Sequence, residues 1–282
     1  MTDHAGIILD LPEAEYHSHD SLSSTGARKL LESPARFHYA QQHPQPHKKA
    51  FDLGTIAHSK VLGVGAGVAV IPNDILASNG AISTKAAKEF IADTYAQGLV
   101  PIKQAEYDGA MGMAEAVLAH PVAKQLFEQK GDAEASVFAT DTNTGVGIRA
   151  RFDFLPDFTE RAPIAVDLKT TAKDASPEKF AKTVADFGYH IQQEFYLHAY
   201  GLVTGNYNMP MKFVVVETAA PYLVGVYELA PEFAEIALAR VRKALATYAA
   251  CKAADHWPGY PHENDPLQPP NWLIYQEGIE FD

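Results

Sequence analysis

Residues 146–171 read VGIRARFDFLPDFTERAPIAVDLKTT, and this stretch decides the fold class. Val146 to Leu155 and Ile164 to Thr170 are short, β-branched and partly alternating, which predicts two strands around a polar loop at Pro156. Ala135 to Thr140 has the same character, and the turn residues Asp141 to Gly145 join it to Val146 as a hairpin. Farther out, apolar spacing predicts helices at Phe51 to Leu62, Ser83 to Gln97, Gln104 to Gln129, Pro177 to Gly188, Tyr189 to Leu202 and Glu232 to Ala250. Ser23-Ser24-Thr25 caps a shorter helix over Ala27 to Leu31, which stops near Ser33-Pro34. Lys212 to Glu217 and Leu223 to Leu229 add strands. This order describes an α/β fold with a mixed central β-sheet flanked by helices. Residues 35–50, rich in His, Gln and Pro, read as a loop.

The chain is read as one domain over 1–282, with an acidic N-terminal extension 1–20 and a Pro-rich acidic C-terminal extension 253–282, expected to be extended. The 282 residues are 47% hydrophobic, which argues against a disordered chain. No apolar run reaches the roughly 18 residues that cross a membrane. Residues 1–20 carry acids and no Lys or Arg, the reverse of a secretory signal, so a cytoplasmic protein is expected. Cys251 is the only cysteine and excludes an internal disulfide. Its place among alanines suits packing better than nucleophilic chemistry.

The net charge of −12 speaks against a polyanionic partner until its distribution is considered. The two ends hold nearly all the excess acid, and 21–252 is almost neutral. Within it, Arg28, Lys29, Arg36, Lys48, Lys49 and Lys60 face only Glu32 and Asp52 over residues 21–60. That stretch is able to meet phosphates, although a solvated basic face is the commoner explanation for such a cluster.

Strand alternation puts Arg151 and Asp153 on one face, and Asp167 and Lys169 on one face. If the two strands are neighbours, two carboxylates and an ammonium converge at one end of the sheet. Oxygen ligands of that kind suit a hard cation such as magnesium, and a nearby Lys offsets the charge that develops in phosphoryl transfer. An ordinary Asp–Lys pair on a strand edge is the simpler alternative. Glu134 stands at the start of the preceding strand, His58 lies on a helix, and Gln192 and Tyr196 share one helix face at i, i+4. Elsewhere, Gly63 to Gly67 has neither a preceding strand nor a following Gly-Lys-Ser/Thr. His17 and His19 lack a third ligand, and His120 before Pro121 marks a helix end.

The order G-x-x-x-H (Gly54 to His58), E (Glu134), R-x-D (Arg151 to Asp153), D-x-K (Asp167 to Lys169) and Q-x-x-x-Y (Gln192 to Tyr196) resembles the PD-(D/E)XK nucleases, and within them the exonuclease VIII group of phage and prophage recombination. The resemblance covers roughly residues 20–275 and implies a restriction-endonuclease-like core. It implies that Asp153 and Asp167 are metal ligands, with the Leu168 carbonyl as a further one and Glu134 and His58 completing the shell of one or two Mg2+ or Mn2+ ions. Lys169 would position the attacking water, Gln192 and Tyr196 the scissile strand, and Arg151, with Arg28 and Lys29, would contact DNA. Asp167 stands where the family often has Glu, and Gln193 offers a second register, but only Gln192 reaches a tyrosine four residues on.

The implied activity is metal-dependent exonuclease action on linear double-stranded DNA, 5′ to 3′ and processive. A ring-shaped homo-oligomer and a single-strand annealing protein are its implied partners. The acidic ends are expected to face outward or to cover a protein contact, because in the DNA path each carboxylate would repel phosphate. Three alternatives stand beside this: a structure-specific or restriction-type endonuclease of the same fold, a non-catalytic DNA-binding scaffold, and an unrelated α/β hydrolase. For the last, the chain has no Gly-x-Ser-x-Gly elbow.

Overall fold

Phe213-Val214-Val215-Val216 is apolar at every position, as suits a strand covered on both faces. In the computed structural model all four are fully buried. The structure describes residues 4–43, 53–65, 67–157, 159, 162–260 and 266–277.

The chain opens with β1 (Gly6–Ile8), α1 (Glu13–Ser18), β2 (Leu22–Ser23), α2 (Ser24–Glu32), α3 (Pro34–Gln42) and α4 (Leu53–Leu62). There follow β3 (Val68–Val70), α5 (Lys85–Ala96), β4 (Val100–Ile102), α6 (Gln104–Ala119) and α7 (Pro121–Phe127). Next come β5 (Gly131–Thr140), β6 (Gly147–Pro156), β7 (Ala165–Thr171), α8 (Pro177–Phe187) and α9 (Tyr189–Thr204). The chain closes with β8 (Met211–Glu217), β9 (Val224–Tyr227), α10 (Pro231–Ala254) and α11 (Asn271–Glu277).

Seven strands form one mixed sheet in the order β1-β5-β6-β7-β8-β9, with β2 parallel to β6. β5 and β6 pair antiparallel from Gly131 opposite Pro156 to Thr140 opposite Gly147, the hairpin expected from the sequence. β7 and β8 run parallel, joined through α8 and α9 as a parallel pair requires. Phe152, Phe195 and Phe213 lie on one face beneath α2, α9 and α10, each fully buried. Burying one such ring contributes about 1.5–3 kcal/mol. Ile56, Met113, Val117, Val214 and Val216 fill the opposite side with α4 and α6.

Several elements depart from the sequence reading. Residues 34–42, read as loop, form α3: Ser33 ends α2 with its backbone and caps α3 with its hydroxyl, which accepts from the Arg36 amide at 3.4 Å. Pro34 at the first helical position starts that helix, since its missing N–H costs nothing there. The single helix expected over 104–129 breaks at Pro121, and His120 Nδ1 accepts from the Ala123 amide at 3.2 Å to cap α7. β1, β2 and the small parallel pair β3–β4 were not anticipated, being only two or three residues long. The C-terminal segment, expected to be extended, contains α11. Trp257 packs on the body, against Phe37 and Tyr248. Residues 44–52, with Lys48 and Lys49, lie outside the described residues.

Candidate active site

The site begins with the hairpin. Asp141 closes its turn by accepting the Thr144 amide at 2.9 Å and the Thr144 hydroxyl at 2.6 Å, and His198 of α9 approaches its other oxygen at 2.8 Å. The register this fixes sets Ala133 opposite Phe154 and Ala135 opposite Phe152, so Glu134 stands across from Asp153. Glu134 has φ +55°, a left-handed conformation that is costly for a residue with a side chain. A strained carboxylate facing another carboxylate is a combination that the surrounding structure must hold in place.

β6 and β7 touch in register only at Phe154 opposite Val166, and beyond that point the ladder stops. The Asp153 carboxylate spans the gap by accepting the Leu168 amide at 2.7 Å. His58, brought in by α4, places Nε2 2.9 Å from Asp153 Oδ2 and Nδ1 3.6 Å from Glu134 Oε1. One ligand atom from each of His58, Glu134 and Asp153 lies within 4.8 Å of the others. An imidazole and two carboxylates so placed are a fitting donor set for a divalent cation.

Asp167 is not in that group. It alternates with Val166 and Leu168, whose side chains enter the core under α4 and α6, so it points toward α9. There Lys169 Nζ contacts Oδ2, and Gln192 Nε2 donates to Oδ1 at 2.7 Å. Oδ2 has no hydrogen-bond partner of good geometry beyond this ammonium contact.

The charges are held in place by one another. Burial pushes the Asp167 carboxyl up to about 6, against the pull of Lys169. Burial pulls Lys169 down, but Asp167 and Asp153 outweigh it and its ammonium is held above the ordinary range. The same balance raises His58 to about 9: burial opposes the charge, and Asp153 and Glu134 win. Burial opposes ionisation of Asp153 too, yet His58 and Lys169 keep its carboxyl low. Glu134 is raised, first by burial and then by Asp153.

A cleft of about 680 Å3 opens on His58, Glu134, Arg151, Asp153 and Tyr196. Its other wall is the N-terminal arm. β1 pairs with β5, with Ile7 opposite Val137, and α1 sets the buried Tyr16 under two guanidinium groups. Arg151 lies 4.4 Å and Arg149 5.3 Å from the Tyr16 ring centroid. Burial pushes the Tyr16 hydroxyl up to about 12, although both arginines oppose this. Asp10 and Glu13, of the acidic N-terminal stretch, line the cleft rather than facing outward.

The sequence-identified residues therefore divide. His58, Glu134 and Asp153 meet; the buried Asp167 and Gln192 form a row with the half-buried Lys169 beside them. Leu168 joins the site through its amide. Tyr196 is buried, packs on Phe152 at 5.2 Å and is hydrogen-bonded to Ser24. Arg151 donates to Ser136 Oγ at 2.9 Å and the Leu11 carbonyl at 2.6 Å, and lies 3.8 Å from Glu134, so it anchors the arm. Arg28 donates to the Phe187 carbonyl and Lys29 is exposed. Tyr16, Ser24, Arg149 and the Asp141–His198 pair were missed. Arg149 is buried and holds the His19 and Ser21 carbonyls, a role no local pattern announces.

A mixed sheet whose D-x-K strand parts from its neighbour beside a His-Glu-Asp cluster defines the PD-(D/E)XK-like nuclease fold. The chain belongs to the family described as PDDEXK-like domain of unknown function (DUF3799), whose model matches residues 23–267. The crystal structure of a candidate exonuclease from Eubacterium rectale superimposes with a TM-score of 0.59 at 12% identity, over 96% of this chain and 100% of that one, and shows the same fold. The alkaline exonuclease LHK-Exo from Laribacter hongkongensis matches with a TM-score of 0.25 at 14% identity, over 70% of this chain and 98% of that one, too distant to carry an argument. No curated protein matches the chain. Family and fold support a nuclease, and among the described residues no helix is long and apolar enough to cross a membrane.

Proposed function

We propose that the chain is a divalent-metal-dependent deoxyribonuclease that hydrolyses linear double-stranded DNA from its ends. The observation that carries this reading is the convergence of His58, Glu134 and Asp153 in a cleft, one strand away from the buried Asp167 and its half-buried partner Lys169. His58, Glu134 and Asp153 would hold the cation, with Asp167 and the Leu168 carbonyl as further ligands. The ion, magnesium or manganese, supplies charge stabilisation at a phosphoryl oxygen and acidifies water.

The remaining work falls to the chain's own side chains. Lys169 keeps its proton at Nζ and sets a fixed positive charge beside the reacting phosphate, where negative charge grows in the transition state. Asp167 holds that ammonium in place, and Gln192 holds Asp167. Leu168 fixes Asp153 through its amide, so the carboxylate needs no reorganisation when the cation enters. Tyr196 forms part of the cleft floor.

A 5′ to 3′ processive action, a ring-shaped homo-oligomer, a single-strand annealing partner and a place in phage-type recombination are supported by the resemblance to the exonuclease VIII group, and a single nuclease domain in the cytoplasm by the length and composition of the chain. The reading is tested by digesting matched linear and closed circular duplexes with magnesium, with manganese and with chelator. Loss of the linear form alone, abolished by chelator and by Lys169→Ala, is expected. Cutting of circles would transfer the same site to an endonuclease, and binding without cutting in any metal would leave a scaffold.

A further inference from the structure

Beside Lys169 lies a row of aromatic rings that the chemistry above does not use. Phe187, the last residue of α8, leaves 52% of its surface exposed. Its ring stacks on Tyr189, with centroids 5.8 Å apart and planes 19° apart. Tyr189 lies with its ring centroid 4.9 Å from Lys169 Nζ and stacks inward on Phe213 at 6.0 Å. The row thus runs from the core, past the ammonium of the site, to solvent.

The turn that presents Phe187 is fixed. Gly188 has φ +66°, and a Cβ there would come within 2.9 Å of Arg28 Cδ, so the position needs glycine. Arg28 donates to the Phe187 carbonyl and, at 3.1 Å, to Thr25 Oγ1, and Thr25 lines the cleft. Lys173 places Nζ 5.8 Å from the Phe187 centroid and makes no ion pair among the described residues. The acids next to Lys173 and Phe187 in sequence are engaged: Asp174 with the Ser176 amide at 2.7 Å, and Asp186 with Lys182 at 3.1 Å. A rigid exposed ring with a cation beside it offers a base a stacking face and its phosphate a counter-charge.

We propose that Phe187 and Tyr189 form a stacking subsite for a nucleobase of the DNA strand being cut, with Lys173 meeting that nucleotide's phosphate. The proposal rests on the nuclease reading above. The subsite is indifferent to sequence, because every base has a π-face.

The test is steady-state cleavage by the full-length chain, with magnesium or manganese, of blunt duplexes that are intact or carry abasic residues in the terminal nucleotides of one strand. Phe187→Ala is expected to raise KM about tenfold on intact DNA, within the range for loss of one stacked base, with kcat unchanged. Phe187→Trp should restore KM. On the abasic duplex wild type should fall to the KM of Phe187→Ala. Equal KM for wild type and Phe187→Ala on intact DNA, an undiminished difference on abasic DNA, or no rescue by tryptophan would each overturn the subsite and leave the nuclease reading standing. Failure of wild type to cut any duplex in either metal would overturn both.

Discussion

Gln192 donates its side-chain amide to Oδ1 of Asp167 at 2.7 Å, and neither group is open to solvent. The contact orients the carboxylate whose other oxygen meets Lys169. Gln192→Leu leaves a buried carboxylate oxygen without its donor, which costs about 1–3 kcal/mol. The expected result is a lower urea midpoint and a reduced kcat with little change in KM, because the amide is buried and donates to Asp167. A variant that raises KM alone would place Gln192 on the DNA instead.

Lys169→Ala removes the charge that the proposed mechanism sets beside the reacting phosphate. Cleavage should fall by about 10²–10³-fold, the usual loss for a preorganised electrostatic group. Binding of the same duplex in chelator should stay close to wild type, because the cleft wall does not depend on Lys169. Gel-shift and turnover measurements on one preparation check both halves.

Glu134 carries strain at φ +55° as well as repulsion from Asp153. Glycine removes both and alanine only the second, so Glu134→Gly should be more stable than Glu134→Ala by about 1 kcal/mol, within the 1–3 kcal/mol typical of such strain. That reverses the usual order in a strand, where glycine is the weaker residue. Both variants should lose manganese binding in calorimetry. A less stable glycine variant would show that the left-handed conformation is not strained.

Asp141 supports the hairpin in a way that depends on pH. Burial pulls its carboxyl up, but hydrogen bonds from Thr144 and His198 outweigh that and hold it below the ordinary carboxylate value. A group depressed in the folded state adds stability that is present above its unfolded pKa, about 3.9, and is lost as pH falls through its folded value. Asp141→Asn should therefore be less stable than wild type at pH 7 by about 1–3 kcal/mol. The gap should narrow as thermal unfolding is repeated toward pH 3. A constant gap would assign the effect to packing.

Chelation should abolish cleavage reversibly, and His58→Ala should weaken manganese binding while leaving the Lys169–Asp167 pair intact. Because His58 is one of three donors in the cluster, its loss should raise the Kd for manganese by at least the roughly 10-fold that loss of an outer partner of a ligand costs. Calorimetry on the protein without DNA measures this directly. Unchanged affinity would remove His58 from the metal shell.

Much of this protein was legible in its sequence. Period-two runs from Ala135 to Thr170 and the continuous apolar Phe213 to Val216 determined a mixed sheet, because alternation and β-branching are local properties of the chain. The same alternation put Asp153 with Arg151 and Asp167 with Lys169. The i, i+4 spacing likewise put Gln192 and Tyr196 on one helix face. Tertiary structure decided the rest. That Arg151 anchors the arm at Leu11 follows from a contact across 140 positions. That Gln192 faces Asp167 is fixed by how α9 lies on β7. The arm over residues 6–18 is an acidic tail by composition and a wall of the cleft by position, since β1 pairs with β5 and Tyr16 packs under Arg151 of β6. Local spacing fixes which residues share a face; long-range pairing alone fixes what that face meets.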